Sequence, residues 1–259
     1  MWSCARVLQT RVIPCLLLSN KGLVKTVKFK DPKYVGDPIN AIRIFNEKEV
    51  DELVFLDIDA TQTNRKISMA LIAQIASECF MPLAVGGGIS SLEEAKEIMN
   101  TGVEKIVINS SAVSNPGLIS SVAKVFGSQS VVASIDAKKK LFGNYEVMTH
   151  GGSKPTGLNP AEWAQQLESL GAGELFINSI DKDGTMQGYD LELISKVAEL
   201  ISIPVIACGG AGKLEDFGDA VKNSKVSAVA AGSMFVFYGP HRAVLINYPN
   251  RNELEKVLG

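Results

Sequence analysis

The chain carries two copies of one pattern. The segment MPLAVGGGISSLEEA, beginning at Met81, realigns onto IPVIACGGAGKLEDF, beginning at Ile203, with Pro82 against Pro204 and Leu92 against Leu214. At the same offset FLDIDA (55–60) falls on INSIDK (177–182). Each copy reads as a short apolar strand, a glycine turn and a stretch with helical spacing, so the repeated unit is a strand followed by a helix. A chain built from two such halves is expected to carry one equivalent site in each half.

Eight short β-rich runs alternate with helical patterns along the whole length: 11–18, 52–58, 82–86, 105–109, 131–136, 174–180, 204–208 and 228–232. Helical spacing is plain at Leu92, Ala95, Ile98 and Met99, and again at Leu191, Ile194, Val197, Ala198 and Ile201. Strands that are apolar throughout and separated by helices pair in parallel and are covered on both faces. Eight such units close into a (β/α)8 TIM barrel, an α/β fold made here of two half-barrels, and 259 residues suit one barrel of this kind. Residues 1–259 are read as one barrel domain, with 1–10 as an N-terminal extension and 238–259 as a C-terminal tail and helix. The stretch 137–160 reads as an irregular loop over the C-terminal face.

Charge and composition narrow the function. A formal charge of −2 and a pI near 5.8 give no electrostatic reason for a nucleic-acid partner, and no apolar run is long enough to span a bilayer. Lysines 21, 25, 28, 30 and 33 form a local cluster, which suits a small anion. Cys4, Cys15, Cys79 and Cys208 lie far apart without paired spacing, so neither zinc nor a disulfide framework is indicated; Cys15 and Cys208 read as small core residues in a reducing compartment. Pro14 interrupts the first apolar stretch and no small-residue cleavage site follows it, so a cytoplasmic location is expected. No metal and no cofactor are expected.

Glycines mark the ends of four strands. Gly86-Gly87-Gly88 ends the third strand and Asn109-Ser110-Ser111 the fourth; Cys208-Gly209-Gly210 ends the seventh and Ala231-Gly232-Ser233 the eighth. Glycine lets backbone N–H groups approach a ligand closely, and helix N-termini beyond add positive dipole. One such turn is as well explained by tight chain reversal. Its occurrence in both halves points to two phosphate subsites, and so to a phosphorylated small molecule with a phosphate at each end.

FLDI (55–58), VGGGI (85–89), FGSQ (126–129), IDAK (135–138), THGG.KPTG (149–157), GAGE (171–174), DGT..GYDLEL (183–193) and IPVIA.GGAG (203–212) together resemble the cyclase subunit of imidazole glycerol phosphate synthase, from about Arg11 to Phe237. The resemblance implies a barrel that works with a glutaminase subunit docked on its N-terminal face. Ammonia would cross the barrel interior and react at the C-terminal face with a bisphosphorylated ribulosyl aminoimidazole carboxamide nucleotide. Arg11, Glu52, Lys105 and Glu174, which begin strands one, two, four and six, match the family's charged ring that gates ammonia entry. Period-two alternation places Arg11 with Ile13, Cys15 and Leu17, Lys105 with Val107 and Asn109, and Glu174 with Phe176 and Asn178, so these charges are expected to point inward. Charged strand starts that are simply solvated are the plain alternative.

The resemblance also implies two aspartates as general acid and base. Asp136 matches the one that ends strand five, whereas Leu17 stands where the other is expected, with Ser19 the nearest polar residue. Proton transfer between two positioned carboxylates is chemistry that hydrocarbon does not perform. A second departure is Asn178, where the family usually has a small hydroxyl residue. Lys25 matches a lysine of a mobile first loop. Lys25, Gly87, Gly88, Asn109, Ser110, Asn178, Asp183, Gly184, Gly209, Gly210, Gly232 and Ser233 make up the expected substrate and phosphate site.

Asp59, Asp181 and Asp183 are placed at the mouth, and Asp57 is expected to orient loop backbone. Lys138–Lys140 reads as a solvated loop, and His150 and His241 as surface or packing residues. Three functions follow from the resemblance. One is a diverged copy that passes glutamine-derived ammonia to an ATP-dependent sugar amidotransferase in surface-polysaccharide (O-antigen) synthesis; KYVGDPINAIRIFN (33–46) and GPHRAVLINYP (239–249) are similar to that branch. The others are a working cyclase of histidine biosynthesis and a non-catalytic scaffold that activates a glutaminase.

Overall fold

The computed structural model describes residues 10–20 and 22–259. Nearly all of the N-terminal extension, with Cys4, and also Lys21 lie outside the described residues.

Eight parallel strands close a barrel. They are β1 (Arg11–Ser19), β4 (Leu53–Asp57), β5 (Leu83–Gly86), β6 (Lys105–Ile108), β7 (Val131–Lys139), β10 (Glu174–Ser179), β11 (Val205–Cys208) and β12 (Ala228–Ala231). Each pairs in parallel with the next, and β12 returns to β1 through Arg11↔Ala228 and Ile13↔Ala230. The fold is therefore a (β/α)8 TIM barrel. The two halves correspond in sequence and in element order: β5 and β11 occupy corresponding positions of the repeat, as do helices Leu92–Met99 and Leu214–Ser224.

Alternation along each strand divides the core in two. On β1, Val12, Leu16 and Leu18 pack outward beneath the helices, while Ile13, Cys15 and Leu17 face the barrel interior. Leu56, Val54, Ala84, Val107, Val132, Phe176, Ile206, Cys208, Ala228 and Ala230 complete that inner cluster. Helix starts are set by local chemistry: the side chains of Asp37, Ser68, Ser91 and Asp190 each accept a backbone N–H of the helix they begin. The last helix, Arg251–Leu258, packs on Leu214–Ser224, where Gly218 leaves room for the Val257 carbonyl.

Two antiparallel additions rise from the C-terminal end, and both correct the sequence reading. Residues 137–160 are not an irregular loop. β7 runs on to Lys139 and pairs with β8 (Tyr145–Thr149), which pairs with β9 (Lys154–Pro155). Lys138 and Lys139 thus belong to a strand, and Lys139 pairs with Glu192 and Lys140 with Glu146. Likewise Lys25 is no loop residue: it lies in β2 (Gly22–Val27), which pairs with both β1 and β3 (Lys30–Gly36). β3 and β9 are exposed over most of their length, and β2 and β8, although largely buried, carry Lys25, Thr26, Glu146 and Thr149 among their apolar residues, so neither segment shows the continuous apolar run that marks the barrel strands.

Candidate active site

All inward charges of the N-terminal end meet at one point. Arg11 donates to Glu52 and to Glu174, and Lys105 Nζ lies 2.9 Å from oxygens of both acids. Each charge therefore has two opposite partners, which is how a ring of ions survives at the base of an apolar barrel. Glu52 is 1% exposed and Glu174 9%. Burial opposes the charge on Arg11, but Glu174 and Glu52 outweigh it and raise its pKa further. Above the ring the interior is lined by apolar side chains, among them Ile13, Val54, Val107, Val132, Phe176 and Ile206.

At the other end a cavity of about 150 Å³ opens, and every residue of the expected substrate and phosphate site lines it. Asp136, Leu17, Lys25, Gly87, Gly88, Asn109, Ser110, Asn178, Asp183, Gly184, Gly209, Gly210, Gly232 and Ser233 are brought together from seven of the eight strand ends. Asp59 and Asp181 are not. Asp59 accepts hydrogen bonds from Ser19 Oγ and Asn20 N, and Asp181 from Lys139 N. Asp57 accepts the backbone N–H groups of Asp59 and Ala60, as expected for a residue that orients loop backbone. His241 is exposed, and the His150 ring sits 3.2 Å from Thr149 Oγ1.

Asp136 is the group poised for proton transfer. Burial pushes its pKa up to about 7; Asn109 donates to it at 2.8 Å and lowers the value, Asp183 raises it, and the Asn178 amide lowers it again. Near neutral pH it can give or take a proton. Burial also raises the pKa of Asp183, against the pull of Thr26, whose hydroxyl donates at 2.8 Å, and of Lys25 and the Phe29 N–H. Leu17 faces the same cavity, in register with Leu56 on β4, and neither side chain can give or take a proton. Besides Asp136, the carboxylates lining the cavity are Asp57 and Asp183; Asp57 is clamped by Arg65 through both oxygens and Asp183 is tied to the first hairpin.

The glycines leave room that side chains would fill. A Cβ on Gly87 would stand 2.3 Å from the Asp57 carbonyl, and one on Gly232 2.1 Å from Lys25 Nζ. Lys25 is 6% exposed, and its ammonium donates to the Cys15 carbonyl directly beside the Gly232 turn. One cavity thus holds two glycine turns in opposite halves, one buried cation and one carboxylate with a near-neutral pKa. That set suits a ligand with an anionic group at each end.

Several site residues escape a sequence reading. Thr26 and Phe29 fix Asp183, and the Cys15 and Cys208 thiols interact in the interior, which lowers the pKa of Cys15 against the effect of burial. The contact has a cause legible in retrospect: β12, between their strands, offers only Ala228, Ala230 and Gly232 inward. The Arg65 clamp on Asp57 spans a loop and follows no periodicity.

The architecture defines a (β/α)8 barrel of repeated halves with a charged base and a ligand-sized mouth. The chain belongs to the histidine biosynthesis protein family, which it matches over residues 11–241. It is 56% identical over 249 residues to a Pseudomonas aeruginosa protein provisionally named imidazole glycerol phosphate synthase subunit hisF2, covering 96% of this chain and 99% of that one. A Vibrio vulnificus protein, provisionally named subunit hisF3, is 49% identical over 254 residues, 98% of each chain. The imidazole glycerol phosphate synthase subunit HisF of Alkaliphilus metalliredigens is 44% identical over 225 residues, 87% of this chain and 89% of its own.

Proposed function

We propose that this chain is the barrel subunit of a glutamine-dependent complex: it takes ammonia from a glutaminase docked on its N-terminal face and carries it through the barrel. The destination is an ATP-dependent sugar amidotransferase rather than an imidazole ring. One observation carries this reading, the contrast between the two ends of the tube. The ring of Arg11, Glu52, Lys105 and Glu174 is complete and paired. At the mouth, Leu17 stands where the resemblance places a proton-transfer aspartate, across the cavity from a retained Asp136. Ammonia is small and uncharged, so the apolar stretch between Ile13 and Phe176 costs it far less than it would an ion.

A working cyclase is the competing reading, and Asp136 with Asp183 speaks for it. Purified protein supplied with ammonium salt and the bisphosphorylated nucleotide of histidine synthesis decides between them. No imidazole product is expected; substantial turnover would overturn the proposal. Co-purification is expected to bring down a glutaminase and a third, ATP-using protein.

A further inference from the structure

Beside the mouth lies a second cavity, of about 290 Å³. Its walls follow three consecutive barrel strands, with Thr61 and Asn64 beyond β4, Ser90 beyond β5, Ser111 and Ser114 beyond β6, and His150 beyond β8. Thr61, Gly88, Ser110 and Ser111 line both cavities, so this annex opens from the glycine turn of the first half. A cavity of this size is near the lower bound of about 300 Å³ for pockets that take small organic molecules.

The annex is polar without being an anion site. Its two cations are already spent: Arg65 donates to both oxygens of Asp57 at 2.8 Å, and Lys66 lies 3.4 Å from Glu94. Asp59, 3.9 Å from Arg65, adds a further negative charge. What the walls offer instead is hydroxyl and amide. The side chains of Thr61, Asn64 and Ser111 hydrogen-bond no other group among the described residues, and each both donates and accepts. The ligand that matches them is neutral and itself rich in hydroxyls.

We propose that the annex binds a polyhydroxylated group, a sugar ring, esterified to the phosphate held at the Gly88–Ser110 turn. This rests on the phosphate reading of that turn and deepens it. The ligand's phosphate on this side is not a terminal group but a link to a sugar beyond it.

Calorimetric titration of the whole chain with inorganic phosphate and with glucose 1-phosphate tests this. Glucose 1-phosphate is expected to bind at least tenfold more tightly than phosphate. Ser114 and Ser90 are exposed at the annex rim, and Ser114→Trp or Ser90→Phe fills it. Either variant is expected to abolish that advantage and leave phosphate binding unchanged. In amide spectra, glucose 1-phosphate is expected to shift Asn64 and Ser114, which line only the annex, whereas phosphate leaves them in place. Equal affinities, unmoved amides, or an advantage that survives both fillings would overturn the annex and leave the phosphate turn standing. Failure of both ligands to bind would overturn the phosphate turn as well.

Discussion

Asn178 stands opposite Asp136 in the register between β10 and β7; Asn109 donates to the carboxylate at 2.8 Å, and the Asn178 amide also favours its charged form. Such donors favour ionisation, yet burial wins and holds the pKa at about 7, far above its ordinary 3.8. Between those two values the folded chain keeps a proton that the unfolded chain has lost. The contribution of Asp136 to stability is therefore full in acid and declines as pH rises toward 7. Asp136→Asn removes this dependence. Urea midpoints are expected to be similar for the two proteins at pH 4.5 and to favour the variant by on the order of 2 kcal/mol at pH 8. A difference that does not change with pH would rule out the buried-acid account.

The ring at the base makes a different demand. Lys105→Met leaves Glu52 and Glu174 sharing Arg11, and an uncompensated buried charge costs about 3 kcal/mol. Removing Glu52 as well, by Glu52→Gln, restores the balance of one acid and one base. The double variant is expected to lose less stability than the two single changes together, because the residues touch. In the presence of a glutaminase, Lys105→Met is also expected to release glutamate without matching ammonia consumption. Intact stoichiometry would favour the scaffold over the channel.

How much of this was legible follows from where each residue's partners lie. Barrel strands are buried on both faces, so their apolar runs stand out, and period two along β1, β6 and β10 put Arg11, Lys105 and Glu174 inside. The glycine turns were visible because they recur in both halves. Segments whose partners are near in sequence and whose runs mix polar with apolar residues were not: β2 and β3 read as a lysine-rich loop, and β8 and β9 as irregular chain. Contacts across the barrel, such as Cys15 with Cys208 or Thr26 with Asp183, depend on closure, which no local pattern encodes.

Leu17 is the residue whose replacement says most about the mouth. Leu17→Asp puts a carboxylate beside Leu56 and Cys15, so a loss of about 1–3 kcal/mol is expected from burying it without a built partner. With ammonium salt and the histidine-pathway nucleotide, the variant is expected to gain weak but measurable imidazole product where the parent gives none. Loss of stability with no product would mean that Asn178 and the rest of the cavity have moved away from that chemistry too.

Gly232 and Lys25 offer the cleanest view of the second phosphate subsite. The backbone at Gly232, with φ of −113°, suits any residue, so Gly232→Ala brings no torsional strain. The new methyl instead meets Lys25 Nζ at 2.1 Å and Cε at 2.9 Å, the flexible end of a side chain that must move aside. Lys25 then gives up its hydrogen bond to the Cys15 carbonyl, at a cost of about 1.5–3 kcal/mol for a charged donor. The ammonium also leaves the Gly232–Ser233 turn, so phosphate affinity is expected to fall at least tenfold. Lys25→Met is expected to reproduce that loss with the glycine intact. Phosphate binding unchanged in both variants would remove Lys25 from the site.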